Sequence, residues 1–236
     1  MLRPRALLVD VGFTLTTYDS RRILELIAPH SVAVALSELM AAERSLREEL
    51  ANHSWPMEPK SSSPKDGGVK LFRRMLALSS ARGTEKDLTS AAEQLWSAHL
   101  EENLMSDVYD GVRGCLEKLQ KSKIKMAAVS NSEGTLDVLL ERIGLRKFFE
   151  STVDSWKVGS AKPDKKIFLA ALNTLNVSAS EAVMIGDSPI ADMSGARAAG
   201  IKGALIDPFG LYEDSVHPRF ASFVNFAGSI EWDLGP

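Results

Sequence analysis

The sequence predicts an α/β protein: a doubly wound parallel sheet with helices on both faces, interrupted after its first strand by an all-helical insert. Three observations carry this. Short apolar runs at 6–9, 124–129 and 182–185 have the length and composition of strands buried on both faces. Each run is followed by polar residues and then a helical pattern, the alternation that builds a parallel sheet. Residues 16–106 show helical spacing without a strand run, so they stand apart as a separate block.

Taken in order, the first strand, Ala6–Val9, stops at a lone carboxylate, Asp10. Within the insert, helices are expected near 21–28, 37–51, 69–82 and 89–102. Leu36, Leu39, Met40, Leu46 and Leu50 mark the apolar stripe of the second. Between the second and third lies NHSWPMEPKSSSPKDGG, residues 52–68, whose Ser, Pro and Gly content reads as a long loop. Residues 111–119 form a helix with Val112, Leu116 and Leu119 on one face, leading into the second strand. Residues 134–143 form the helix after it. Two more helices are expected at 163–175 and 189–199, the latter stopped by Gly200. A weaker strand follows at 204–206, and the mixed segment 209–233 is expected to wrap back onto the core. This alternation makes the core Rossmann-like.

Composition excludes several classes of function. The 236 residues suffice for one α/β domain with a small insert. A formal net charge of -3 without a long basic run gives no electrostatic case for nucleic acid or an acidic membrane. No stretch approaches the roughly 18 apolar residues of a membrane span. The N-terminal apolar run meets a charge at Asp10, too soon for a signal-peptide core. Cys115 is the single cysteine, so neither an internal disulfide nor a cysteine zinc cluster is available. A reducing, cytoplasmic setting is expected.

Open parallel sheets bind ligands beyond the carboxyl ends of their strands. Here the first strand ends at Asp10 and the second runs into Ser130-Asn131. The last ends in GDSPIAD, which supplies Asp187 and Asp192. Between these lies AKPD, with Lys162 just before a helix. Singly, each has a plain structural reading: a turn, a solvated lysine, a pair of helix caps. Together at strand ends they supply a nucleophilic carboxylate, hydroxyl and helix-end groups for an anion, a fixed cation, and carboxylates for a hard metal.

This order resembles the haloacid dehalogenase superfamily, whose members are mostly phosphatases. Residues 10–15 are similar to its first motif, with Thr14 at the expected place. Ser130 matches the second motif, Lys162 the third and GDSPIAD the fourth. The resemblance implies a catalytic core of residues 1–15 and 107–236 and a helical cap of residues 16–106. It implies that Asp10 attacks phosphorus to form an aspartyl phosphate, with Thr14 hydrogen-bonding beside it. It implies Mg²⁺ held by Asp10, Asp187, the backbone carbonyl of Gly12 and water, with Asp192 holding a metal-bound water or Lys162. Ser130 and backbone N–H groups near Asn131 would bind phosphate oxygens, and Lys162 would balance charge. The expected protein is a Mg²⁺-dependent phosphohydrolase of a small phosphorylated metabolite, monomeric or homodimeric, with no nucleic-acid or membrane partner.

Gly12 departs from that pattern, because phosphatases of the superfamily usually place a second Asp there as acid and base. Phe13 stands where a Gly is usual, so the turn is expected to differ. Tyr18 and Asp19 are candidate stand-ins for the missing carboxylate. Two other readings follow from the gap. One is a dehalogenase or C–P bond hydrolase of the same superfamily, the latter needing a cap lysine such as Lys60, Lys65 or Lys70. The other is a phosphate-binding or regulatory protein without turnover. His30, His53, His99 and His217 show no metal-ligand spacing and are expected on the surface or in loops. His53 and Trp55 could reach substrate from the long loop. Trp55, Trp96, Trp156 and Trp232 are otherwise expected to pack.

Overall fold

The structure, a computed structural model, describes residues 4–51 and 64–230. It divides into two compact units, Met1–Thr17 with Asp107–Pro236, and Tyr18–Ser106. In chain order the first unit opens with β1 (Ala6–Val9) and β2 (Thr16–Thr17). The second unit follows with α1 (Ser20–Ile27), α2 (Leu36–Ala51), α3 (Pro64–Leu78) and α4 (Glu85–Glu102). The chain then returns to the first unit through β3 (Asp107–Val108), α5 (Val112–Lys121), β4 (Lys125–Ser130) and α6 (Leu136–Arg142). It continues with β5 (Ser151–Asp154), α7 (Ser155–Val158), α8 (Lys165–Leu175) and β6 (Ala182–Gly186). A π-helical turn, Pro189–Ser194, runs into α9 (Gly195–Ala198). The described chain closes with β7 (Lys202–Ile206), β8 (Arg219–Phe220) and α10 (Phe223–Gly228).

Six strands form one sheet in the order β5-β4-β1-β6-β7-β8. Every neighbouring pair is parallel, so all six carboxyl ends lie along one edge. The sheet is doubly wound because successive side chains alternate between two apolar layers. Leu7, Val9, Met126, Ala128, Val183 and Ile185 enter one layer, covered by Val112, Leu116 and Leu119 of α5 and by Leu136, Leu139 and Leu140 of α6. Ala6, Leu8, Ala127, Val129, Ala182 and Met184 enter the other, covered by Ile167, Phe168, Ala171 and Leu175 of α8. Burial of each large side chain contributes about 1.5–3 kcal/mol, which makes these two layers the main source of the core's stability. Segment 209–233 does pack onto the core as far as it is described: Phe223 and Phe226 of α10 join the first layer. Thr16 and Thr17 belong to this unit because β2 pairs antiparallel with β3.

Among its described residues, the second unit is helical apart from short connections. Its helices have local causes. Asp19 caps α1 by accepting from the backbone N–H of Arg22. Thr84 and Asp87 form a reciprocal capping box at the start of α4. Leu39 and Leu46 are buried as the stripe predicts, whereas Met40 is exposed.

Several expectations are corrected. The loop expected over 52–68 ends earlier, because α3 already begins at Pro64. Proline is tolerated there, since a first-turn N–H has no helical partner to lose. Gly68 sits inside that helix because a Cβ would lie 2.2 Å from the Trp96 ring. Residues 52–63, including His53, Trp55 and Lys60, lie outside the described residues, as does Trp232. His99 is not a surface residue; it is buried on α4, stacked on Trp96 at 5.6 Å and edge-on to Phe72. Trp156 does not pack into a core; it is 72% exposed. The helix expected from 163 starts at Lys165, where Asp164 caps it. No helix among the described residues is long and apolar enough to cross a membrane.

Candidate active site

The site assembles at the carboxyl edge of the sheet. Asp10 follows β1 directly, and its backbone N–H donates to Ile185 O at 2.8 Å, extending the ladder by one bond. The chain then turns back sharply. Leu15 N and Thr16 N both donate to Val11 O, and Phe13 N donates to Thr16 O at 2.7 Å. Phe13 holds φ +53°, the left-handed conformation that glycine favours. For a residue with a Cβ this costs about 1–2 kcal/mol. The tight turn is therefore made at some strain despite the absence of a glycine at this position. It returns Thr14 to the strand end, where its Oγ1 donates to Asp10 Oδ2 at 3.2 Å.

Lys162 reaches the same carboxylate from the loop before α8. Its Nζ donates to Asp10 Oδ1 at 2.5 Å and to Asp192 Oδ1 at 2.6 Å. All three side chains are buried. Asn131 fixes the backbone of Lys162 from β4's end: its Oδ1 accepts from Lys162 N at 2.7 Å and its Nδ2 donates to Lys162 O at 3.0 Å. Asp192 rides on the π-helical turn after β6. Its Oδ2 accepts from Ser188 N at 3.0 Å, and Ser188 Oγ caps the turn by accepting from Ala191 N. Gly186 makes this approach possible, since a Cβ there would lie 2.3 Å from Asp192 Cγ.

Burial dominates the electrostatics of Asp10. It pushes the carboxyl up, Lys162 pulls it down, and Asp192 pushes it up again, leaving a pKa of about 6. Burial also opposes the charge of Lys162, but the two carboxylates outweigh it and hold the ammonium above its ordinary range. Asp187 completes the cluster. Asp10, Asp187 and Asp192 each offer an oxygen, and these oxygens lie within 4.8 Å of one another. Three carboxylates face one ammonium, and a set of hard oxygen donors with excess negative charge suits a hard divalent cation.

Ser130 is the half-buried last residue of β4, in register with Asp154 on β5. Gly12 lies half-buried in the turn and bridges to Thr16. Tyr18 and Asp19 belong to the other unit: Tyr18 packs edge-on against Phe72 at 5.7 Å, and Asp19 is the α1 cap. Lys65 and Lys70 lie on α3. Sequence reasoning did not identify the Asn131 clamp, the Ser188 cap or the close approach at Gly186. A signal was present for the last two, since Gly-Asp-Ser followed by Pro reads as a strand end entering a capped helix.

The chain matches the family described as haloacid dehalogenase-like hydrolase over residues 4–200. Among curated proteins it is similar to ribulose-1,5-bisphosphate 5-phosphatase of Halopiger xanaduensis, 37% identical over 138 residues, 58% of this chain and 56% of that protein. It is similar also to haloacid dehalogenase-like hydrolase domain-containing protein 3 of Bos taurus, 36% identical over 157 residues, 66% of this chain and 57% of that protein. The chain thus spans about half the length of the curated relatives it matches. Among solved structures, the magnesium-bound orthorhombic form of the HAD-hydrolase YfnB from Bacillus subtilis superposes with a TM-score of 0.68. The two are 22% identical, covering 96% of this chain and 98% of that one, a likeness of fold.

Proposed function

The chain belongs to the haloacid dehalogenase-like hydrolase family, and we propose that it is a Mg²⁺-dependent phosphohydrolase acting on a small phosphorylated metabolite through an aspartyl phosphate on Asp10. The observation that supports this best is the buried cluster of Asp10, Lys162 and Asp192 with Asp187 beside it. A relative named for dephosphorylating ribulose bisphosphate favours the same substrate class. The acidic cluster, all of whose carboxylates suit a metal, favours phosphoryl transfer over halide displacement.

Thr14 and Lys162 each hold one oxygen of Asp10, so the nucleophile meets the phosphoryl group already oriented. With its pKa at about 6, Asp10 is ionised near neutral pH and still basic enough to attack. Lys162 balances the charge of the carboxylate and of the incoming phosphate. Ser130 and the backbone N–H of Asn131 bind phosphate oxygens, while the Asn131 side chain keeps Lys162 in place. Asp10, Asp187 and the Gly12 carbonyl would hold Mg²⁺, with Asp192 acting through water or Lys162. When bound, the ion offsets the repulsion between a phosphate dianion and the carboxylates. Residues 18–106 serve as the cap domain, and residues 1–17 with 107–236 as the catalytic core. Gly12 cannot move a proton, so the enzyme favours substrates whose leaving group is stable as an anion.

A screen of phosphate esters, acyl phosphates and 2-haloacids, each with and without Mg²⁺, tests the assignment. Metal-dependent phosphate release is the expected result. Metal-independent halide release, or phosphate binding without turnover, would overturn it.

A further inference from the structure

We infer that Asp154, at the end of the edge strand β5, is the positioning residue of the loop that binds phosphate. The inference rests on the proposed role of Ser130 and the Asn131 N–H. Asp154 is 1% exposed and faces Ser130 in the β4–β5 register. Its Oδ1 accepts from Gly134 N at 3.1 Å and from Trp156 N at 2.9 Å, and its Oδ2 accepts from Leu136 N at 3.2 Å. The bond to Trp156 is an ordinary cap on α7. The bonds to Gly134 and Leu136 are not explained by capping α7, since they cross to the loop that leaves Ser130 and to the first residue of α6. That loop has no ladder of its own between β4 and α6. Gly134 adopts φ +91°, the left-handed region open to glycine.

The neighbouring residue closes the same junction. Ser155 Oγ accepts from Ser132 N and donates to Ser132 O, both at 3.0 Å. Asn131 then ties the start of the loop to Lys162. A buried carboxylate is costly unless its oxygens are hydrogen-bonded, so Asp154 and the loop amides fix each other. Residues 131–136 are thereby held on the side facing β5, and the Asn131 N–H and Ser130 hydroxyl keep one orientation toward the phosphate. Asp154 touches no reacting atom; it acts through this loop.

The test measures kcat, KM, competitive inhibition by inorganic phosphate, Mg²⁺ activation and Tm for wild type, Asp154→Ala, Asp154→Asn and Ser155→Ala. A core variant of the same unit, Phe226→Leu, serves as a stability control. Asp154→Ala should raise KM and the phosphate inhibition constant together by roughly 10- to 100-fold, the scale of a small misplacement of binding groups. Mg²⁺ activation should be unchanged, because the metal carboxylates sit on β1 and β6 loops. Asp154→Asn should fall between, since its Oδ1 keeps the bonds to Gly134 and Trp156. Ser155→Ala should shift inhibition in the same direction and carries the test if Asp154→Ala does not fold. Unchanged inhibition constants in the Asp154 and Ser155 variants, or an equal shift in Phe226→Leu, would overturn the inference while leaving the proposed function standing. Absence of phosphate release and of phosphate binding in wild type would instead remove the proposed function, and this inference with it.

Discussion

Lys162→Met is the most telling perturbation of the cluster. Methionine roughly keeps the stem volume and removes the ammonium, so little of the effect comes from a cavity. The lost groups are two short charge-assisted hydrogen bonds, to Asp10 at 2.5 Å and to Asp192 at 2.6 Å. Lys162, Asp10 and Asp192 side chains are 3%, 9% and 1% exposed, so solvent does not replace the lost cation. Removing one member of such a buried group typically costs about 3–5 kcal/mol. For a chain of this size each kcal/mol is worth about 2–4 °C, so Tm should fall by roughly 6–20 °C in chelator. The loss should depend on pH. Asp10 already titrates at about 6 in the folded state, and Lys162 is what pulls it down, so the variant moves it higher. A carboxyl raised on folding binds its proton more tightly in the native state. Stability therefore falls as pH climbs from the unfolded carboxyl value through the folded one. The Tm deficit should be larger at about pH 8 than at about pH 5, and Mg²⁺ should recover part of it at the higher pH. Thermal unfolding by circular dichroism, with and without chelator at both pH values, measures this. A Tm change below about 2 °C at the higher pH would refute a coupled buried cluster.

Other expectations follow from the same geometry. Asp10→Asn should lower kcat by roughly 10⁴-fold or more while far-UV circular dichroism stays native, and a variant with wild-type kcat would end the nucleophile assignment. Asp187→Asn should weaken Mg²⁺ activation severely. Asp192→Asn should damage it less and Tm more, because both Asp192 oxygens are already engaged by Lys162 and Ser188. Activity that persists in excess chelator would contradict the metal assignment. Wild type should hydrolyse aryl and acyl phosphates far better than alkyl ones. Gly12→Asp should raise alkyl rates by up to about 10²–10⁴-fold if the strained Phe13 turn accepts the side chain. Equal wild-type rates on alkyl and aryl esters would mean that another group supplies the proton.

The central strands were legible because β1, β4 and β6 are buried on both faces and so read as continuous apolar runs. β5 was not legible: STVD is a short edge strand whose first two residues are only half-buried, so it carries no apolar run. β8 is two residues long and is defined by its pairing with β7, which no local pattern encodes. The order of strand-end residues pointed to Asp10, Lys162, Asp187 and Asp192 as one group, and the structure places them in one cluster. The supporting contacts were hidden because they depend on long-range register. Asn131 and Lys162 are 31 positions apart, and Asp154 meets Gly134 across two strands. His99 misled for a related reason: its burial comes from stacking on Trp96 one turn earlier, and composition gave no sign of that face.

The central claim is that Asp10 carries the phosphoryl group. Acid quenching during turnover of an aryl or acyl phosphate with Mg²⁺, followed by peptide mass spectrometry, tests it most directly. A phosphoryl group on the peptide containing Asp10, absent from Asp10→Asn and lost on chasing with buffer, is the predicted result. Steady turnover with no phosphoryl group on any peptide, or with the label on a residue other than Asp10, would contradict it.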